Sequence, residues 1–150
     1  MNNSHDRLDA DRGGIDKPNL LLVSNDPWKP YTVRLIEEHY LFIQGFYGEV
    51  AATTGTARSV QHLLPLIRDL GHGPDWGDIK AIWYCLEHTA LGRRVHAMVF
   101  LSEEVEKHQI FKIALASSLL KLNTCWLPTP ATAAEFLSAI QALWHVEQFR

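Results

Sequence analysis

Short apolar runs alternate along this chain with longer stretches of helical spacing. "NLLLV", residues 19 to 23, is apolar throughout and bounded by "KP" and "SNDP", the pattern of a short strand buried on both faces. Asp26-Pro27 supplies a helix cap and a first-turn proline, and Val33, Ile36 and Tyr40 follow at helical spacing. "GFYGEVAATT" carries a second strand around 49–53. Thr56 is placed to cap a helix whose apolar face is Val60, Leu63, Leu64 and Ile67, with Gly71 as its stop. Pro65 falls inside that stretch and predicts a kink. "HGPDWGD" is a turn-rich connection.

"IKAIWYCLE" over 79–87 reads two ways. Its aromatic and β-branched content predicts a strand, while Ile79, Ile82, Trp83 and Leu86 also fit one helical face; the strand is the preferred reading. "VHAMVFL", 95 to 101, is a clearer strand. Ser102-Glu103-Glu104 then opens a helix reaching about Lys121, with a hydroxyl cap and two acids at the positive end of its dipole. "TCWL" predicts the last strand. Thr132 and Glu135 have capping-box spacing ahead of a stripe of Phe136, Leu137, Ile140, Leu143 and Trp144.

Strand followed by helix, repeated about five times, predicts an α/β fold: a doubly wound, parallel, five-stranded sheet. The gap "HTALGRR" after the preferred third strand leaves room only for a reduced third helix. The 150 residues suffice for one core, assigned to 18–150, and the polar stretch 1–17 reads as a disordered tail. That tail has no apolar core of a secretory signal. A net charge of -3 argues against direct nucleic-acid binding. Every apolar run is too short or interrupted to span a bilayer, so a cytoplasmic protein is expected. Cys85 and Cys125 both lie in apolar surroundings and read as buried free thiols.

The eight histidines do not form a zinc pattern with the cysteines, and no metal or cofactor is expected. "GFYGEV" and "TTGTAR" hold glycines near the second strand but match neither G-x-G-x-x-G nor a Walker A loop. Cys85 near His88 has the composition of a nucleophile and its base, though the thiol reads as buried.

Three landmarks carry a family resemblance. "LLLVSNDP", "AMVFLS" and "CWLPTPATAAEFLSAIQAL" resemble the first strand with its acidic loop, the fourth strand with its terminal hydroxyl, and the fifth strand with its Lys-Pro corner in response-regulator receiver domains of the CheY-like, flavodoxin-like fold. The resemblance places the acidic pair at Ser24 and Asn25, with Asp26 one position too late but able to compensate in part. It places the phosphoacceptor region among Tyr84, Cys85, Leu86 and Glu87, the hydroxyl ligand at Ser102, and the lysine slot at Thr129. It also implies a cis bond between Thr129 and Pro130.

Ser24 and Asn25 carry no charge and no aspartate stands at the acceptor position, so Mg²⁺-dependent phosphorylation is not expected. The resemblance therefore implies a degenerate pseudo-receiver: a signalling module without enzymatic activity that acts by binding a protein. Ile110, Phe111, Leu115 and Leu119, with Trp126, form the expected interaction face, through which a homodimer is expected. Blander readings stand beside these. Ser102 and Asp26 also fit as helix caps, Glu87 as a solvated acid, and Trp126 as a strand aromatic packed at the sheet edge. The alternative function is a small α/β enzyme or ligand-binding protein with its site at the carboxyl ends of the strands.

Overall fold

The computed structural model describes residues 17–71, 74–100, 121–122 and 124–148. All five strands pair in parallel. They are β1 (Asn19–Ser24), β2 (Glu49–Ala52), β3 (Arg68–Asp69), β4 (Val95–Phe100) and β5 (Trp126–Leu127), in the order β3-β2-β1-β4-β5. The expected α/β architecture, a doubly wound, parallel, five-stranded sheet, is present. β1 is central and buried at every position, which explains its unbroken apolar run.

The alternation of side chains along β1 divides the core into two layers. Leu20 and Leu22 pack against helices α1 (Lys29–Glu38), α2 (Tyr40–Phe46), α3 (Thr54–Val60) and α5 (Pro130–Gln148). Leu21 and Val23 face the opposite way, toward Ala81, Tyr84 and Cys85 of α4 (Pro74–Ala90). Among the described residues no helix is long and apolar enough to cross a membrane.

Several sequence expectations are corrected. Residues 79–87 belong to α4 and not to a strand, so the helix between β3 and β4 is a full 17 residues and is not reduced. Its buried stripe is Ala81, Tyr84, Cys85 and His88, while Trp83 is 65% exposed. Of the bulky residues that suggested a strand, Trp83 lies off that stripe, Ile82 packs partly buried against it and Tyr84 is on it. The third strand is instead the two-residue Arg68–Asp69, exposed and polar, with no apolar run to announce it. The helix after β2 ends at Val60, five residues ahead of Pro65, so the proline terminates it at a distance and kinks nothing. Gly71 follows β3 with φ +123, a conformation only glycine adopts without strain.

At the "CWLPTP" corner, Thr129 Oγ1 accepts the Thr132 amide at 3.1 Å and Pro130 opens α5. Thr129 is therefore the helix cap, followed by proline at the first helical position. No peptide bond among the described residues is cis, so the expected cis bond before Pro130 is trans. Cys125 is exposed, against the expectation that both thiols are buried.

Candidate functional site

The chain runs outward from β1 through β2 to β3, then returns across β1 to build β4 and β5. Doubly wound sheets bind ligands beyond the carboxyl ends of their strands, where such a reversal opens a crevice. Ser24 ends β1 at this edge. Its amide donates to Thr56 Oγ1 at 3.1 Å, and the same hydroxyl donates back to the Ser24 carbonyl at 3.2 Å. Ser24 Oγ lies 2.6 Å from Thr32 Oγ1, and Thr53 Oγ1 donates to Thr56 at 3.4 Å. Ser24, Thr32 and Thr56 are all buried. Hydroxyls satisfy the backbone here because β1 has run past its neighbour β2, whose register with it stops at Leu22.

Outward from this hydroxyl chain lie the charged groups. The one-turn 3₁₀ helix Asp26–Trp28 puts Asp26 three residues before Lys29, and the two form an ion pair. The Lys29 hydrogen bond and charge hold the Asp26 carboxyl below its ordinary range. The Lys29 side chain is only 20% exposed, whereas that of Asp26 is 94% exposed. Gly55 explains the difference. A Cβ at that position would lie 2.9 Å from Lys29 Cε and 3.1 Å from Nζ, so the lysine lies across the backbone where any other residue would carry a side chain.

The second carboxylate belongs to β3. Asp69 Oδ1 accepts from Thr54 Oγ1 at 2.5 Å and from the Gly71 amide at 2.9 Å. The Thr54 amide in turn donates to the Gly71 carbonyl at 3.0 Å, tying the loops after β2 and β3 together. Lys80, from α4, brings its ammonium against Gly71, where a Cβ would stand 2.4 Å away. Two carboxylates, two ammonium groups and a set of threonine hydroxyls thus edge the carboxyl end of β1, β2 and β3. Such a set can hold an anionic, oxygen-rich small molecule and move a proton. Among the described residues no group of three or more His, Cys, Asp or Glu side chains is placed to hold a metal ion.

Of the residues marked by the sequence, Ser24, Asn25 and Asp26 sit together at this edge. Cys85 and Glu87 do not join them, because both are on α4. Cys85 points into the core, where burial pushes its thiol up to about 12, and Glu87 is exposed. Thr129 caps α5. Trp126 is half-buried against the α4 layer. Ser102, Ile110, Phe111, Leu115 and Leu119 lie outside the described residues. Sequence reasoning missed Lys29, Thr32, Thr54 and Asp69. The available signals were the Asp-x-x-Lys spacing after a buried strand and the hydroxyls of "TTGT" after the next one.

The fold is similar to that of a methylglyoxal synthase. The crystal structure of that enzyme from Elizabethkingia anophelis NUHP1 superposes with a TM-score of 0.63 at 20% sequence identity, covering 81% of this chain and 78% of the other. No protein-family model and no curated protein matches the sequence. The likeness is one of fold, and the solved neighbour is an enzyme. It overturns the expectation of a receiver-like signalling module without enzymatic activity. The strand order agrees with that correction: a receiver sheet runs 2-1-3-4-5, whereas here β2 lies inside the sheet and β3 at its edge.

Proposed function

We propose that the protein is a small α/β enzyme that acts on a small anionic metabolite at the carboxyl ends of β1, β2 and β3. The observation that carries this reading is Lys29, lying against the bare backbone of Gly55 and paired with Asp26. Its ammonium is held by packing and pairing and therefore loses little freedom on meeting an anion. The Thr53 and Thr54 hydroxyl protons go to Thr56 and Asp69, so Lys29 is the group that meets the anion, and Asp69, fixed by Thr54 and Gly71, is the positioned carboxylate for proton transfer. Asp26 is kept ionised by Lys29 and tunes that cation. The methylglyoxal synthase neighbour supports chemistry on a three-carbon carbonyl compound.

The test is incubation of the full chain with three-carbon phosphorylated carbonyl compounds, trapping any α-oxoaldehyde with an aromatic 1,2-diamine. Formation of the quinoxaline from methylglyoxal, lost in Lys29→Ala, supports the reading. Absence of both turnover and Lys29-dependent binding across a panel of small phosphorylated and carboxylated metabolites overturns it.

A further inference from the structure

The opposite edge of the sheet has an unmet demand for acceptors. Asn19 opens β1, and Glu49 opens β2 directly beside it. By strand alternation both point to the same face as Leu21 and Ala51, the face covered by α4. From α4, Tyr84 projects into this end of the layer, and the Arg68 guanidinium lies 5.7 Å from its ring centroid. Arg93 follows the helix and is anchored by its amide to the His88 carbonyl at 2.8 Å. The His88 ring in turn packs 4.1 Å from that of Tyr84.

Tyr84 Oη, Asn19 Nδ2 and Arg93 Nε are all buried without a hydrogen-bond partner among the described residues. Tyr84 is 1% exposed and Asn19 4%. Leaving one such group unpaired is costly, and native interiors rarely do it. Here three come from one edge, and all three can donate. Glu49, the carboxylate at hand, is engaged by Arg68 at 3.4 Å. The side chains of Arg68 and Glu49 are 50% and 30% exposed, so solvent reaches this charged pair. Among the described residues the cluster holds two guanidinium groups against one carboxylate, a positive balance.

We propose that this amino-terminal edge is a second ligand site, taking a small oxyanion of the phosphate or carboxylate type. Tyr84, Asn19 and Arg93 donate to its oxygens and Arg68 supplies further charge. Three unpaired donors at one end of the layer, with the Arg68 guanidinium beside Tyr84, match the several acceptor lone pairs of an oxyanion. A lone water would leave the excess positive charge uncompensated. The site lies across the sheet from Lys29, so it stands or falls independently of the carboxyl-edge reading.

The experiment is a ¹H–¹⁵N titration of the full-length chain with inorganic phosphate at constant ionic strength, read at the arginine Nε–H resonances, with acetate in parallel. A saturable shift of the Arg93 Nε–H with either anion is expected, and which anion binds more tightly tells phosphate from carboxylate. Tyr84→Phe should weaken the binding about fivefold. Arg68→Gln, at a half-exposed position, should weaken it as well, so that the outcome does not depend on one core substitution. Lys29→Ala should leave it unchanged. An Arg93 Nε–H that stays unmoved up to tens of millimolar of both anions overturns the proposal. So does a shift that neither Tyr84→Phe nor Arg68→Gln reduces, which would leave a buried water as the partner of the phenol.

Discussion

Gly55→Ala separates folding from ligand binding at the carboxyl edge. The added Cβ would stand 2.9 Å from Lys29 Cε and 3.1 Å from Nζ. Carbon atoms rest at about 3.5 to 4.0 Å, so the lysine head must retreat by about 0.6 Å or more. The retreat costs little in stability, because the atoms that move are the end of a flexible chain. Gly55 sits in the first turn of α3 without a positive φ, so the alanine gains up to about 1 kcal/mol of helix propensity and unfolded-state entropy. Folding should therefore be unchanged or slightly more stable, seen as an equal or higher urea midpoint. Ligand placement should suffer, since a misplacement of about 1 Å at a reacting centre costs up to about 10²-fold. A phosphate titration followed at the Thr54 and Thr56 amides should show at least a tenfold weaker site. If Gly55→Ala binds as the native chain does, Lys29 is not a ligand group and the reading of that edge fails. If it unfolds, the packing argument fails.

Three further outcomes follow from the geometry. His96 shares a 3.1 Å hydrogen bond with Tyr47 Oη between the rings of Phe46 and Phe136, and burial, aided by the Arg94 charge, pushes it down to about 4. The unfolded chain then holds the extra proton between the ordinary value of 6.5 and about 4. Stability should be flat above that window, fall through it as pH drops, and lose about 2 kcal/mol once the solvent that reaches the ring is allowed for; urea midpoints against pH should lose this limb in His96→Gln. Thr56→Val keeps the shape of a buried side chain but strips the Ser24 amide and carbonyl of their shared hydroxyl, and should cost about 1 to 3 kcal/mol in urea unfolding. Of the two thiols, exposed Cys125 should react promptly with an aromatic disulfide reagent at pH 8, and buried Cys85 only on unfolding.

The parts of the fold that were legible in the sequence are those whose burial is one-sided or complete. β1 announced itself because all six of its residues are buried. α5 did so because Leu137 and its neighbours hold a helical period. β3 was invisible: two exposed polar residues at a sheet edge make no pattern. With that strand missing, the aromatic run at 79–87 was drawn into its place. The helix formed there instead because small Ala81 and Cys85 sit with Tyr84 on the stripe that meets the sheet, leaving Trp83 outside. The candidate site was half legible. Asp26 was marked from the strand end, but Asp69 belongs to the strand that could not be seen, and Lys29 draws its meaning from Gly55, 26 residues away in the chain.

The receiver resemblance pointed to the parallel α/β sheet that is present but misled about function, for a related reason. A hydroxyl or acid after a buried strand, and a threonine-proline pair before a helix, solve problems common to every doubly wound sheet: the strand's last amides need partners and the helix needs a cap. Ser24 is bound by Thr56, and Thr129 caps α5, so both landmarks have a structural cause that says nothing of phosphotransfer. What distinguishes one such fold from another is strand order, and local periodicity does not encode it. Order is set by which strand can bear an edge. Here the exposed Arg68–Asp69 pair takes it, because its polar side chains tolerate water on the unpaired side. That choice seats β3 beside β2 rather than on the far side of β1, and brings Asp69 to Thr54 in the loop after β2. The placement of one polar dipeptide thus decides which side chains meet at the carboxyl edge, and with them the chemistry available there.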